Sequence, residues 1–586
     1  MQEFFARMKV LGWGVALAGL VVAAWWWPNR LVNPGQGGES GKFNSLSYTG
    51  YRDGESPLTD TFPTAAEVDA DFARLAPITR AIRTYAAVEG PFEVPALAQK
   101  HGLKVWQGIW LGGDRAKNAV EMARAIDMAH RYPATIERVI VGNEVLLRRD
   151  LPVAELIADI DHVRASVKQP VAYADVSDFW DQFPQIAPHV DVVLIHLLPY
   201  WEDVPTGIGR AVDVVGQTYA HFEKLFPGKQ IAIGETGWPS RGRQRRDAVP
   251  GLVNQARFLR GFMALAAAKH FDYNFIEAFD QDWKYENEGI VGANWGIFTA
   301  DRQVKIPPQG ALREDPAWAW HAGFSVLCGV VLWGLGRKAF FSEEKNQKTF
   351  VPSPSPAIRN RRLSPYLKWQ KFFGSFFQKR TFFLAFILGG ALGLAQASTA
   401  PVLYDMHVRL AAVVNLGGQA LLAGLFMLRL AGAVQPAPQR NAANATRRVL
   451  NALRLKRVCW AGLFEDVALL FVWTASVQQV LLVFDPRYRE FPVASFAVPL
   501  VVTLARAFAG DFRRGTGGRE ELVLGLVLVG GAVASAVQEG WLNGQSLLWN
   551  GCAVVLTVGV WWSLWPGPEG RDGLRSTPSY GVSVGS

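Results

Sequence analysis

Apolar runs long enough to cross a bilayer as helices recur through most of this 586-residue chain and leave one long stretch free of them. A helix rises about 1.5 Å per residue, so about 20 apolar residues cross the hydrocarbon core, where each backbone polar group must find its partner inside the segment. About eight such runs are present, at roughly 10–27, 317–336, 382–400, 407–428, 458–484, 491–509, 521–537 and 545–565. The exception is 42–316, where charged, polar and apolar segments alternate as in a water-exposed domain. The expected organisation is an N-terminal anchor at 1–27, a Gly-, Pro- and Asn-rich linker at 28–41, the 42–316 domain and a span at 317–336. A basic loop at 337–381, about six spans over 382–565 and a cytoplasmic tail at 566–586 complete it. The first run ends in Trp25-Trp26-Trp27 before Pro28, an interfacial belt that favours an uncleaved anchor over a signal peptide.

The net charge of +9 does not point to nucleic acid, because the basic residues sit in loops between spans. Loop 337–381 carries Arg359, Arg361, Arg362, Lys368 and Lys371 among others, and loop 429–457 carries Arg429, Arg447, Arg448, Lys456 and Arg457. The alternate loops 401–406 and 538–544 have no Lys or Arg. Positive loops stay in the cytoplasm. With eight spans, both termini fall inside and the 42–316 domain falls outside. A basic inner face suits anionic membrane lipid. Cys328, Cys459 and Cys552 all lie in expected spans, so the outer domain has no disulfide, and there is no Cys or His spacing of a metal site.

Within the outer domain, short β-rich runs alternate with amphipathic stretches. The strand candidates are 45–50, 81–85, 104–110, 138–143, 171–174, 190–196, 230–234 and 274–279, with helical patterns such as 65–75, 116–131, 153–167, 209–225 and 253–270 between them. That rhythm predicts an α/β fold, a (β/α)8 TIM barrel, joined to an α-helical multi-span membrane domain. A doubly wound open sheet is the alternative. It is disfavoured because no Gly-x-Gly-x-x-Gly follows the first strand and Gly41-Lys42 lacks the upstream glycine of a phosphate loop.

Two of these strands end abruptly in a glutamate, in Val139-Ile-Val-Gly-Asn-Glu144 and Ile231-Ala-Ile-Gly-Glu235. A barrel gathers its reactive groups at the C-terminal ends of its strands. Two carboxyl groups about 5–5.5 Å apart are what glycosidic cleavage with retention requires, one as acid and base and the other as nucleophile. A lone glutamate at a strand end is more often a structural ion pair; two in matching contexts are not readily explained that way.

The local contexts resemble glycoside hydrolase family 17, the β-1,3-glucanases and β-1,3-glucan transglycosylases, over roughly residues 43–312. Gly234-Glu-Thr-Gly-Trp-Pro-Ser240 is similar to the family's nucleophile signature, and Asn143-Glu144 to its Asn-Glu pair. Arg83-Thr-Tyr85, Pro199-Tyr-Trp201, Phe279-Asp-Gln-Asp-Trp-Lys284 and Asn294-Trp-Gly-Ile-Phe298 resemble its other strand-end segments. The resemblance implies Glu144 as acid/base, Glu235 as nucleophile, Asn143 on the sugar 2-hydroxyl and no cofactor or metal. His196-Leu-Leu198 departs from it, since plant members typically carry Asn-Ile-Tyr there. Multi-span anchoring is similar to bacterial members, which implies a bacterial inner membrane with the barrel on the periplasmic side.

Sugar faces stack on aromatic rings, so Tyr85, Tyr200, Trp201, Trp238 and Trp283 are expected in the substrate cleft. His196, Lys284 and Glu286 are expected there too, and Arg83 as a buried cation that holds Glu235 ionised. Trp106 and Trp110 alternate along one strand and are read chiefly as core. Glu465 and Asp466 lie inside a span, where acids are costly; Gln396, Asn415, Gln419, Gln478 and Gln479 are candidates for helix–helix contacts or a sugar path. No Gln-x-x-Arg-Trp is present, which disfavours a sugar-nucleotide synthase. The reading favoured is a membrane-tethered glucan transglycosylase that elongates or branches β-glucan, acting beside a glucan synthase or exporter. A tethered endo-β-1,3-glucanase and a non-catalytic glucan-binding or export component are the alternatives.

Overall fold

The structure is a computed structural model that describes residues 2–35, 42–307, 309–348, 365–399, 406–431, 460–486, 488–509, 511–512 and 518–565. The expected tail at 566–586 and most of loop 429–457 lie outside the described residues, as does 349–364 of the first basic loop. The chain divides into two compact units, Arg30–Asp315 and Met1–Asn29 with Pro316–Ser586.

The first unit is a (β/α)8 barrel. Its strands are β1 (Phe43–Ser47), β2 (Thr79–Arg83), β3 (Lys104–Ile109), β4 (Ile136–Asn143), β5 (Val171–Val176), β6 (Val192–Leu197), β7 (Gln230–Thr236) and β8 (Asn274–Phe275). All neighbours pair in parallel, in the order β7-β6-β5-β4-β3-β2-β1-β8. An Ile233–Tyr273 bridge, with Ile276 N–H donating to Thr236 O at 2.9 Å, links β7 to the β8 segment and closes the ring. Strands buried on both faces read as continuous apolar runs, which is why β4, β6 and β7 stand out in the sequence.

Helices fall where the periodicity set them. Ala65–Leu75 starts at a capping box: Thr64 Oγ1 accepts from Glu67 N–H, and the Glu67 carboxylate accepts from Thr64 N–H at 2.8 Å. Asp114 caps Arg115–Arg131 with its side chain alone, which accepts from Ala116 and Lys117 N–H. One indole fills the barrel interior: Trp106 is fully buried against Ala81, Ile140, Ala172, Ala174 and Ala232. Its N–H donates to Glu137 at 3.0 Å, and Arg138 lies 4.0 Å from its ring centroid. Small residues on neighbouring strands make room for that ring.

Two expectations need correction here. Residues 30–35 are not a free linker. Val32 pairs antiparallel with Leu312 by two backbone bonds of 2.9 and 3.0 Å, and Arg260 donates to Gly35 O. The apolar Val32 packs on the barrel core, which holds the segment down. Strand β8 is only two residues, because past Phe275 the backbone turns to a new partner: Ile297 and Phe298 N–H donate to Glu277 and Ala278 O.

The second unit is helical. Among the described residues, six helices are long and apolar enough to cross a membrane: Trp318–Gly336, Thr381–Ser398, Val408–Leu430, Gly462–Phe484, Arg519–Glu539 and Gly544–Leu564. The other two expected spans correspond to the helix Gln2–Trp26 and to a shorter apolar helix, Ala494–Ala509. Several side chains that would be costly in lipid are paired. Glu465 lies 2.9 Å from Arg429 and 3.1 Å from Arg506, and Arg429 also reaches Asp511. Gln419 Oε1 accepts from Val498 N–H, Gln479 from the Trp549 indole, and Gln396 meets His321 at 2.7 Å. These are contacts between helices.

Candidate active site

Strand ends deliver the site. Asn143 closes β4, and Glu144 follows with φ of 52°, in the left-handed region, its N–H on Ala174 O at 2.8 Å. That turn, prepared by Gly142 at φ 86°, aims the Glu144 side chain across the barrel mouth. Glu235 lies within β7, buried. One oxygen of each carboxylate and one ring nitrogen of His196 lie within 4.8 Å of one another. That is the close spacing of a double displacement, too narrow to seat an attacking water between the two groups.

Glu235 is held by three donors or charges. Arg83 Nη1 lies 3.1 Å from its Oε1, Tyr85 Oη donates to the same oxygen at 2.9 Å, and His196 Nε2 stands 3.6 Å away. Arg83 is itself fixed by Gly234 O and Asn143 Oδ1. Ser47 and Asn274 brace Tyr85 from behind: Asn274 donates to Ser47 Oγ at 2.7 Å, and Ser47 Oγ meets Tyr85 Oη at 2.9 Å. Burial and the adjacent Glu235 charge push the Tyr85 phenol well above its ordinary range, so it stays a donor. The Arg83 guanidinium already supplies the countercharge that a cation among these groups would provide.

Glu144 is held differently. His196 Nδ1 lies 3.0 Å from its Oε1. Burial works to raise the Glu144 carboxyl, but the His196 hydrogen bond, with the charges of His196, Arg148 and Arg83, outweighs it and leaves the group below the usual carboxylate value.

The other expected residues divide. Trp201 is half-buried, stacked on Trp295 at 6.2 Å, and Trp283 is half-buried edge-on to Tyr51 at 5.9 Å. Both keep surface for a ligand. Tyr200 and Trp238 do not; both are 0% exposed. The Tyr200 hydroxyl donates to Arg243 O, its ring meets Trp238 and Trp295 edge-on, and the Trp238 indole donates to Val249 O. These two rings are a core brace under the loops, not a sugar platform. Glu286 is exposed on the helix Tyr285–Ala293. Lys284 is buried 3.0 Å from Glu277. Burial works against its charge, but Glu277 and Glu288 outweigh that and raise the amine. Glu288, two residues past Glu286, is therefore the acid of that helix that acts on Lys284.

Glu277, Ser47, Asn274 and Arg148 escaped the sequence reading. Glu277 had a signal, an acid directly after the apolar pair Phe275-Ile276. Arg148 had none: it donates to the backbone oxygens of Asn143 and Leu111, and lies 4.2 Å over Trp110, which is 41% exposed.

Replacing Arg83 by Met would leave Glu235 buried without its cation. The expected cost is about 3–5 kcal/mol, read as a lowered unfolding midpoint for Arg83→Met. An unchanged midpoint would show that the pair does not support the fold.

The family described as the BtgE/BtgC glycoside hydrolase domain matches residues 45–296. A glucan 1,3-beta-glucosidase of Schizosaccharomyces pombe is 30% identical over 273 residues, covering 44% of this chain and 82% of the relative. One from Candida albicans is 28% identical over 268 residues, covering 41% and 84%. A solved glycoside hydrolase family 17 beta-1,3-glucanosyltransferase from Rhizomucor miehei is 26% identical, covering 46% of this chain and 99% of that one, with a TM-score of 0.41. With its strand-end glutamates and its barrel, this chain belongs to the BtgE/BtgC glycoside hydrolases, retaining enzymes of family 17.

Proposed function

We propose that the barrel is a β-1,3-glucan transglycosylase held at a bacterial inner membrane, with its cleft on the periplasmic side. The observation that carries the chemistry is the approach of Glu144 and Glu235 to within 4.8 Å. Glu235 attacks the anomeric carbon while Glu144 protonates the departing sugar oxygen. The glycosyl-enzyme is then opened by an acceptor hydroxyl whose proton returns to Glu144. Tyr85 and Arg83 hold the attacking oxygen in place, and Asn143 supports Arg83 while facing the cleft from the end of β4. Half-buried Trp201 and Trp283 offer platforms for sugar rings on the rim.

The substrate class rests on the relatives named glucan 1,3-beta-glucosidases. Transfer is favoured over hydrolysis by the membrane setting: six long apolar helices are more than a tether requires, and fit an enzyme coupled to glucan export or synthesis. The topology rests on the basic loops.

The test is product analysis of the full chain in detergent with a β-1,3-gluco-oligosaccharide. Products longer than the substrate are expected. Only shorter products would make it a tethered glucanase, and no change at all would shift the function to glucan binding or export.

A further inference from the structure

His196 faces both reacting carboxylates at once. It ends the buried run of β6 and is 0% exposed. Its Nδ1 is 3.0 Å from Glu144 Oε1; its Nε2 is 3.6 Å from Glu235 Oε1 and, among the described residues, has no hydrogen-bond partner. The ring has a made seat. A Cβ on Gly234 would lie 2.8 Å from His196 Cδ2, so the glycine before Glu235 lets the imidazole pack close against β7.

The charges around it are few. Glu144 comes from the end of β4 and Glu235 from β7. Arg83 reaches the group through Glu235 and Asn143, and Arg148 through the Asn143 backbone. Asp175 lies one residue before Val176, the register partner of His196 on β5. It is engaged elsewhere, accepting from Tyr173 Oη and Val176 N–H, and burial pushes it up to about 6.

We propose that His196 and Glu144 hold one proton in common, so that the pair, rather than Glu144 alone, supplies and takes back the proton of the reaction. This rests on the assignment of Glu144 and Glu235 above. His196 touches no substrate atom and acts through Glu144, as a positioning residue. In the free enzyme Nε2–H points at the Glu235 carboxylate, and the shared proton lies between Nδ1 and Glu144 Oε1. When Glu235 bonds to the anomeric carbon and the glycosidic C–O bond breaks, that proton leaves from Glu144 on the departing oxygen. Glu235 is now a neutral ester, Glu144 a carboxylate and His196 neutral. In the second step the acceptor oxygen bonds to the anomeric carbon, the ester C–O bond breaks, and the acceptor's proton enters the pair. The three groups carry one net negative charge throughout, opposite Arg83. No step leaves an extra uncompensated charge in the buried site.

A coupled pair keeps its proton to higher pH than a carboxyl alone. The test compares kcat/KM against pH for the full chain in detergent, on a β-1,3-gluco-oligosaccharide, in wild type, His196→Asn and His196→Gln. The alkaline limb should move down by about one pH unit or more in both variants, with kcat/KM on that side falling about tenfold further than on the acid side. An equal fall at every pH, with the limb in place, would make His196 structural and overturn the proposal. Thermal melts check that the variants fold. A measurement that needs no variant is histidine nitrogen NMR of the wild type, free and trapped as a fluorosugar ester. The His196 imidazolium should become neutral on trapping, and unchanged protonation would overturn the proposal. Wild type inactive on glucan at every pH would instead sink the functional assignment itself.

Discussion

Glu235→Ala is expected to lose turnover of β-1,3-gluco-oligosaccharides by about 10⁴-fold or more, because no other group can form the covalent intermediate. Tyr85 and Arg83 both converge on its Oε1, and neither is a nucleophile: the phenol is held protonated and the guanidinium is a cation. Truncation opens a space beside Arg83 that suits a small anion. Azide should enter it, attack the face that Glu235 used, and yield a glycosyl azide of inverted configuration with partial recovery of turnover. The anomeric assignment by NMR is the decisive readout. Undiminished turnover in the variant, or an azide product with retained configuration, would remove Glu235 from the role of nucleophile.

The barrel was legible because its strands are buried on both faces. Such strands cannot alternate, so β4, β6 and β7 appear as apolar runs, and a carboxylate that ends one is conspicuous. Glu144 and Glu235 were readable for that reason. What residue type could not tell was direction. Tyr200 and Trp238 lie just past strand ends, where a cleft aromatic is expected, yet each turns inward because its polar tip finds a backbone carbonyl inside the core. Glu286 and Glu288 are two residues apart on one short helix, and a kink at Gly289, with φ of 67°, changes its course there. The helical period alone could not say which acid would face Lys284.

Hydropathy found the apolar helices of the second unit but not their internal partners. Glu465 was identifiable as a costly acid in a span. That Arg506 and Arg429 meet it depends on how three helices pack, which no single run records. The helix Ala494–Ala509 shows the limit of counting: its apolar run extends over Phe491 and Pro492, but the described helix is about 24 Å long. It carries Arg506 into the ion-pair group and Ala494 O and Val498 N–H onto Gln419, so packing against neighbours governs its place.

Glu144→Ala should behave unlike Glu235→Ala in two respects, and the contrast assigns the roles. Loss of a positioned acid costs about 10²–10⁴-fold when the leaving group needs a proton. Against an oligosaccharide, whose departing alkoxide is strongly basic, the variant should fall in that range. Against a glycosyl fluoride the first step should be nearly intact, since fluoride departs without a full proton transfer. The ester on Glu235 then persists, because no base remains to activate the acceptor. His196 cannot replace it: Nδ1 sits behind the Glu144 carboxylate, buried, and the missing side chain is what linked the ring to the cleft. Azide needs no base. It should open the ester from the face that Glu144 occupied and give a glycosyl azide of retained configuration, the opposite anomer to that from Glu235→Ala. Mass spectrometry of the intact variant should find the trapped sugar on the peptide containing Glu235. The same anomer from both variants would mean that only one of the two carboxylates flanks the reacting carbon, and the double displacement would fall with it.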